Sequence, residues 1–445
     1  SGSLTVTGNV MSFGSSVSFV VNPGALATIQ GDMTLAVMND ELFIDSGAEM
    51  RFAGDVSFVG GIDFSNDGLL VFNGTALQTF SEYAGLNLGD VTVDNTVGVE
   101  FTANWGAINT GTLTITTNSI VVLDCPSVSF ANTAIDNDGL FKVSGSLDLN
   151  TTSSRDLGDF ELLSAADVVV TGDFYTTGGL SLIGACTLTL EGNLDLGDAT
   201  SVSNPSGQIV LNGSGSQFLT TGAYDLGNVE IGNTAFGVTV LDAWAPGNTG
   251  TLHVLDAAGA FVTFTDNVDF FGTTLTRTGT ATDVTMVFAG SSQTFNTGNL
   301  PSLGGVRVQS SLDVNGDFNP AKLDVVASAS LTATGNSSIA SFLDIGVSCS
   351  VVFEGNLDMT GATVSVNDSF IGFNGPSLQL FSFGSPDVGE IRIFGDSITA
   401  FDGNWSPVAA TTIRVVDSTA TAEFREDADF SNTTFINNGT VLLTD

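Results

Sequence analysis

The chain has 445 residues, of which 53 are glycine and 33 are phenylalanine, and only 13% are charged. The composition favours turns and strands, and no run has the apolar spacing of a helix, so the sequence predicts an all-β protein. Its formal net charge of −39 at pH 7 excludes nucleic-acid or anionic-membrane binding through a basic patch. The sequence contains no stretch of 18 apolar residues, so it does not predict a membrane-spanning segment.

The chain begins with an alternating segment, SGSLTVTG (1–8), that predicts a strand without a leader peptide. Short alternating runs such as DVTVD (90–94) and TLTIT (112–116) follow, separated by Gly, Asn and Asp. Alternation directs one set of side chains inward and the other to solvent. Strands this short bury their inward set only when they coil into stacked rungs.

A glutamine-containing segment first occurs at 72–80 (FNGTALQTF) and is repeated three times. A second segment, such as LGDVTVDN (88–95), starts nine or ten residues after each Gln, and a large aromatic residue follows the Gln by 25–27 residues. The glutamines are Gln78, Gln217, Gln293 and Gln379, and the aromatic residues are Trp105, Trp244, Phe318 and Trp405. All three tryptophans of the chain therefore occupy one position of a repeat.

A fifth, degraded copy lies between the first two, with LGDFELLS at 157–164 and Phe174 at the aromatic position. Successive aromatic positions are then 69, 70, 74 and 87 residues apart. A period of about 70 holds about three rungs of a β-solenoid, or β-helix. We therefore predict one continuous β-solenoid over residues 1–445, built from about five imperfect repeats of 69–87 residues. The approximate unit boundaries are 1–71, 72–140, 141–210, 211–287, 288–372 and 373–445.

Tandem β-sandwich domains of about 75 residues are the alternative fold. Only nine prolines occur in the chain, and the period boundaries lack the composition of linkers, which counts against this alternative. Propeller blades of about 40–50 residues fit the unequal periods poorly.

The repeated residues have structural roles in this interpretation. We expect the aromatic position to fill the core of a rung, because large aromatic side chains mainly supply buried area. A platform that stacks against carbohydrate is the alternative. We expect Gln78 and its equivalents to hydrogen-bond the backbone at a turn, because a buried amide must find partners.

We expect no enzymatic activity. The 48 Asp and Glu residues are so numerous that a pair of carboxylates could be proposed almost anywhere, and no pair stands out. The single histidine, His253, lies in an alternating run, and no His/Cys cluster has zinc spacing. The nine Lys and Arg residues are scattered singly. Cys186 and Cys349 occupy the same position in two copies of one segment. Together with Cys125 the chain has three cysteines, an odd number and too few for a disulfide framework in a chain of this size. We expect the repeated thiols to be small, buried core residues.

One segment, DVNGDFNPAKLD (313–324), is similar to a calcium loop of the dockerin or EF-hand kind. The candidate ligands, listed by offset, are Asp313, Asn315, Asp317 and Asp324. Phe318 stands where such loops normally carry glycine, so a plain turn is the alternative. Ca²⁺ is the one candidate cofactor.

The recurring unit FNG…Q…LGxVxVxN…W…GTLTI resembles repeats of large secreted bacterial surface proteins, the adhesin-like and filamentous-haemagglutinin-like β-solenoids. The resemblance covers nearly the whole chain and is one of pattern. It implies a secreted, cell-surface protein with a structural or adhesive role and no catalytic residues.

Both ends of the chain read as strands, since NNGTVLLTD (437–445) aligns with NDGLLVFNG (66–74). Open solenoid ends expose unpaired backbone groups, and a head-to-tail contact that does not close into a ring generates a filament. We therefore expect a subunit of an extracellular filament or sheath that polymerises with itself. A segment of an adhesin that binds glycans or cell surfaces is the alternative, and a β-helix polysaccharide-degrading enzyme ranks last.

Overall fold

The computed structural model describes residues 2–12, 16–82, 85–151, 156–244, 249–256, 259–279, 284–298, 300, 302–384 and 388–444. These ranges contain 53 strands of two to six residues and no α-helix. The chain divides into two compact units, Ser1–Gly213 with Leu226–Asn228, and Ser214–Asp225 with Val229–Asp445. In each unit the strands pair in parallel as successive turns of a β-solenoid, which confirms the predicted fold class.

The first unit contains strands β1 to β27, whose bounds are β1 (Ser3–Val6), β2 (Val10–Met11), β3 (Ser18–Val21), β4 (Leu26–Ile29), β5 (Met33–Leu35), β6 (Glu41–Ile44), β7 (Glu49–Phe52), β8 (Val56–Phe58), β9 (Asp63–Asn66), β10 (Leu69–Phe72), β11 (Gln78–Glu82), β12 (Asp90–Val93), β13 (Val99–Phe101), β14 (Thr112–Ile115), β15 (Ile120–Leu123), β16 (Ser127–Ser129), β17 (Ala134–Asn137), β18 (Leu140–Val143), β19 (Ser146–Asn150), β20 (Asp159–Leu162), β21 (Asp167–Thr171), β22 (Phe174–Tyr175), β23 (Gly179–Leu182), β24 (Thr187–Leu190), β25 (Leu194–Asp195), β26 (Ser201–Ser203) and β27 (Gln208–Leu211). They form the ladders β1-β4-β7-β10-β12-β14-β17, β2-β5-β8-β11-β13-β15-β18-β20-β23-β26, β3-β6-β9, β16-β19-β21-β24-β27 and β22-β25.

The second unit contains strands β28 to β53, apart from Asn228, with bounds β28 (Gln217–Thr220), β29 (Asn228–Ile231), β30 (Val238–Val240), β31 (Thr251–Val254), β32 (Val262–Phe264), β33 (Val268–Asp269), β34 (Thr274–Arg277), β35 (Val284–Phe288), β36 (Gln293–Asn296), β37 (Gly305–Val308), β38 (Ser311–Asn315), β39 (Lys322–Val325), β40 (Ser330–Ala333), β41 (Ser337–Ser338), β42 (Phe342–Ile345), β43 (Ser350–Phe353), β44 (Leu357–Met359), β45 (Thr363–Val366), β46 (Phe370–Phe373), β47 (Leu378–Phe383), β48 (Glu390–Ile393), β49 (Ile398–Asp402), β50 (Thr411–Val415), β51 (Thr421–Phe424), β52 (Thr433–Asn437) and β53 (Thr440–Leu443). They form the ladders β29-β31-β34, β28-β30-β32-β35-β37-β39-β42-β45, β33-β36-β38-β40-β43-β46-β48-β50-β52 and β41-β44-β47-β49-β51-β53.

The parallel ladders exclude the tandem-sandwich alternative, because sandwich sheets are antiparallel. They also explain the alternating sequence. In-register pairing stacks Ala27 on Met50 and Met50 on Leu70, and all three are buried. Residues between them, such as Thr28 and Arg51, lie on the outer face. The core of each unit therefore consists of columns of equivalent inward side chains.

Tight turns with a fixed backbone conformation separate the strands. Gly89 of the LGDV segment has φ +63°, and a Cβ there would lie 2.6 Å from the carbonyl oxygen of Asn66. Gly158 repeats this arrangement against Asn137 at 2.5 Å. The glycine is needed both for the left-handed backbone and for the close approach of the preceding turn.

Candidate functional site

The repeated glutamine is a buried clamp between two turns of the solenoid. The Gln78 Oε1 accepts hydrogen bonds from the Gly74 N–H at 2.8 Å and the Asn95 Nδ2 at 2.9 Å. Its Nε2 donates to the carbonyl oxygens of Phe52 at 3.0 Å and Gly54 at 2.8 Å. Both donor and both acceptor positions of the amide are therefore used.

Gln379 reproduces the clamp. Its Oε1 accepts from the Gly375 N–H at 2.9 Å. Its Nε2 donates to the backbone carbonyl oxygens of Phe353 at 3.0 Å and Gly355 at 2.8 Å. The hydroxyl of Ser397, at 2.6 Å from Oε1, takes the place of the Asn95 amide. Hydrogen bonding to the backbone at a turn is the role that the sequence predicts for this position.

The other two glutamines are also buried. The Gln293 Oε1 accepts from the Gly290 N–H at 2.7 Å. Its Nε2 donates to the backbone carbonyl oxygens of Phe264 at 3.1 Å and Asp266 at 2.6 Å. Gln217 accepts from the Asn233 Nδ2 at 3.0 Å. The clamp thus recurs in both units.

The repeated aromatic position is a core plug. Trp105, Phe174, Trp244, Phe318 and Trp405 are all buried, at most 4% exposed. The indole N–H groups donate to threonine hydroxyls, from Trp105 to Thr133 at 3.0 Å, from Trp244 to Thr273 at 3.3 Å and from Trp405 to Thr433 at 2.9 Å. Rings packed in this way have no free face on which a sugar could stack.

Sequence reasoning missed the threonine partners, although a signal was present. Each Thr follows its Trp by 28 or 29 residues, a spacing as regular as that between Gln and Trp. It also missed Asn66 and Asn137, whose Nδ2 atoms each donate to a leucine carbonyl of the next turn, Leu88 and Leu157, at 2.5 Å. These asparagines begin the recurring N-D-G triplets at 66–68 and 137–139.

Three of the four candidate calcium ligands lie on two different ladders of the second unit, and the fourth lies in a turn. Asp313 and Asn315 lie on the outer face of β38, whereas Asp324 lies on β39 and accepts a hydrogen bond from the Arg307 Nε at 2.8 Å. Asp317 lies in a turn and accepts from the Asn336 N–H at 3.0 Å. Among the described residues no group of three or more His, Cys, Asp or Glu is arranged to hold a metal ion.

The turn at Asp317 instead begins a ladder of side chains that cap the backbone of the next rung. The Asn336 Oδ1 accepts from the Asn356 N–H at 3.1 Å, and the Asn356 Oδ1 accepts from the Leu380 N–H at 2.8 Å. Such caps satisfy backbone donors that the bend removes from the strand ladders. The plain-turn alternative therefore accounts for the contacts of Asp317.

The three cysteines are free thiols and are buried. Burial raises the pKa of Cys125 to about 11 and also raises the pKa of Cys186, so neither thiol is activated as a nucleophile at neutral pH. The ring Nδ1 of His253 lies 2.7 Å from the hydroxyl of Thr276 on the next strand, which is an ordinary contact between outward-facing neighbours.

No helix within the described ranges has the length and apolar character needed to cross a bilayer. No protein-family model, curated protein or solved structure matches this chain.

Proposed function

We propose that this protein is a structural subunit of an extracellular filament or sheath, in which copies of the chain join head to tail. The parallel β-solenoid fold is the observation that supports the proposal, because ladders of this kind can be extended by further in-register strands. The contact tested here uses inward columns that are buried inside each unit and exposed, in a single copy, at the first described turn of the first unit and at the last described turn of the second.

The first described turn presents an open apolar face. Leu4 of β1 occupies the same inward column as Ala27 and Met50, yet it is 51% exposed, whereas they are at most 2% exposed. A groove of about 550 Å³ opens beside it between β1, β3 and β4, lined in part by Phe19 and Leu26. Among the described residues, β1 pairs with a strand on one side only.

The last described turn presents a second open face. Leu443 of β53 pairs in register with Phe424, and it is 68% exposed while Phe424 is 2% exposed. Phe435 of β52 is likewise more exposed than Ile413, the residue with which it pairs. Within the described ranges β52 and β53 each have one neighbouring strand.

Pairing of these two faces between copies would bury the exposed apolar side chains of both faces and give β1, β52 and β53 a second neighbouring strand. Full burial of an exposed leucine stabilises a contact by about 1.5–3 kcal/mol, and strand addition supplies further backbone hydrogen bonds. The two faces differ, so the contact is heterologous and propagates as a filament unless it closes into a ring.

The secreted, cell-surface location and the non-enzymatic role rest on the resemblance of the repeat pattern to bacterial surface β-solenoids. The net charge of −39 favours solubility and opposes side-by-side association of filaments at low salt. The partner in this proposal is a second copy of the chain.

Electron microscopy of the purified chain, over a series of protein and salt concentrations, tests the proposal. We expect fibres from the unmodified chain. Leu4→Lys and Leu443→Lys each place a charge in one open face, so each should raise the lowest protein concentration that supports fibres by about tenfold or more. Val408→Lys is the matched control, because Val408 is 85% exposed in a turn outside both faces.

Particles of single-chain size at every concentration would overturn the filament proposal. Fibres that form equally well from both leucine variants would overturn the assigned contact. Adhesion to a glycan is a second candidate function, and a groove in the second unit favours it.

A further inference from the structure

The outer surface of the second unit has a groove of about 330 Å³ where the ladder of β33, β36 and β38 begins. Five of its eight lining residues have polar side chains: Asn267, Asp269, Thr294, Asn296 and Asn315. No Lys or Arg is among these lining residues. The indole of Trp244 is buried beneath the surface, and the polar side chains supply the hydrogen-bonding groups of the groove.

The parallel register arranges these side chains in two columns. Asp269 pairs with Asn296, and Asn296 with Asn315, so one column carries a carboxylate followed by two amides. Thr294 and Asp313 pair on the neighbouring outward column. Adjacent rungs of a ladder lie about 4.8 Å apart, and alternate residues along a strand about 6.6 Å apart. The groups thus form a regular grid.

Several of these side chains accept a hydrogen bond from the backbone through one oxygen and present their other polar atom to the groove. The Asn267 Oδ1 accepts from the Thr294 N–H at 2.7 Å, and the Asp269 Oδ1 accepts from the Phe271 N–H at 2.7 Å. The Asn296 Oδ1 accepts from the Gly298 N–H at 3.3 Å. Anchoring fixes each side chain in place, which reduces the conformational entropy lost when a ligand binds.

We propose that this groove binds a short segment of a neutral oligosaccharide. A sugar hydroxyl both donates and accepts, and the grid offers a carboxylate acceptor beside amides that donate and accept. The groove volume lies near the lower end of the range of about 300–1,000 Å³ found for ligand sites. The proposal is independent of the filament contact, since none of these residues lies at either open face.

Other ligand classes fit the groove less well. An anionic sugar or a phosphate would meet the Asp269 carboxylate with no cation among the lining residues to offset it. Calcium takes about six to eight oxygen ligands, usually with several carboxylates. The grid carries two carboxylates, Asp269 and Asp313, and no group of three or more His, Cys, Asp or Glu among the described residues is arranged to hold a metal ion.

Binding of the full chain to an array of neutral and sialylated oligosaccharides tests the proposal, followed by titration calorimetry with each neutral sugar that binds. We expect at least one neutral oligosaccharide to bind. Because each lost hydrogen bond weakens binding severalfold, Asn296→Ala combined with Asn315→Ala should weaken it by about tenfold or more. Thr332→Ala is the matched control, since Thr332 is an outward residue of the same ladder outside the groove.

Thermal unfolding of each variant establishes that the fold is retained. The proposal is overturned if no neutral oligosaccharide binds at millimolar concentration, or if binding survives the double substitution. A titration with calcium chloride alone adds a further arm, because calcium binding that the double variant abolishes, with no sugar binding, would assign the grid to a cation instead.

Discussion

The indole N–H of Trp105 donates a hydrogen bond to the hydroxyl of Thr133, 28 residues later and 3.0 Å away. Thr133 is completely buried, and its hydroxyl in turn donates to the carbonyl oxygen of Asn109 at 3.1 Å. The aromatic plug is therefore held in orientation by the following turn.

Thr133→Val keeps the side-chain shape and removes the hydroxyl. The buried indole N–H then loses its acceptor, which should lower the free energy of unfolding by about 1–3 kcal/mol. Urea unfolding followed by tryptophan fluorescence measures the change. Thr114→Val, on the outer face of β14, is the control and should shift stability by less than about 0.5 kcal/mol. Equal effects of the two substitutions would contradict the role assigned to Thr133.

Gln379→Leu replaces the clamp amide with an apolar side chain of similar size. The Gly375 N–H and the carbonyl oxygens of Phe353 and Gly355 then lose buried partners, so we expect a loss of about 3 kcal/mol or more. Gln309→Leu, at an exposed position in the same unit, is the matched control. An unfolding midpoint that Gln379→Leu leaves unchanged would show that the clamp contributes nothing to stability.

The glycine of the LGDV segment gives a test of the turn geometry. Gly89→Ala places a methyl group 2.6 Å from the Asn66 carbonyl oxygen on a backbone with φ +63°, which should cost about 1–3 kcal/mol. At Gly106 the nearest atom to an added Cβ is 3.7 Å away. Gly106→Ala should therefore be nearly neutral, and a comparable loss at both glycines would argue against the close approach at Gly89.

The carboxyl group of Glu82 should make stability depend on pH between about 4.5 and 8. Burial raises the pKa of Glu82 from 4.5 to about 8, and its Oε2 has no hydrogen-bond partner. The folded state therefore binds this proton more tightly than the unfolded state, so the Glu82 contribution to stability falls as pH rises from about 4.5 to 8. Glu82→Gln should remove that decline, and Glu100→Gln, an outward-facing control on β13, should keep it. Melting temperatures measured across this window decide the point.

The sequence predicted those features that depend on period alone. Alternation identified the inward columns, and the repeated positions of Gln78 and Trp105 predicted a glutamine that hydrogen-bonds the backbone at a turn and an aromatic residue that fills the core of a rung. The partners of these residues depend on the register between turns. The contact of Thr133 spans 28 residues and that of Asn66 spans 22, so the stacking offset must be known before either contact can be recognised.

The calcium prediction for residues 313–324 was also made without knowledge of how the strands pair. The offsets of Asp313, Asp317 and Asp324 suit a loop, but alternating sequence extends β38 through Asn315 and places Asp324 on the next ladder. Strand formation over Ser311–Asn315 directs Asp313 and Asn315 outward, where they join the polar grid. The calcium site stays a prediction, and the strand that carries Asp313 and Asn315 follows the longer period of the fold.

X-ray fibre diffraction from oriented fibres of the purified chain tests the proposed assembly most directly. If the face at Leu443 of one copy stacks on the face at Leu4 of the next, the rungs continue across the junction. The pattern should then show a strong reflection near 4.8 Å along the fibre axis. A solution that holds only single chains, or fibres whose 4.8 Å reflection lies across the axis, would contradict head-to-tail stacking.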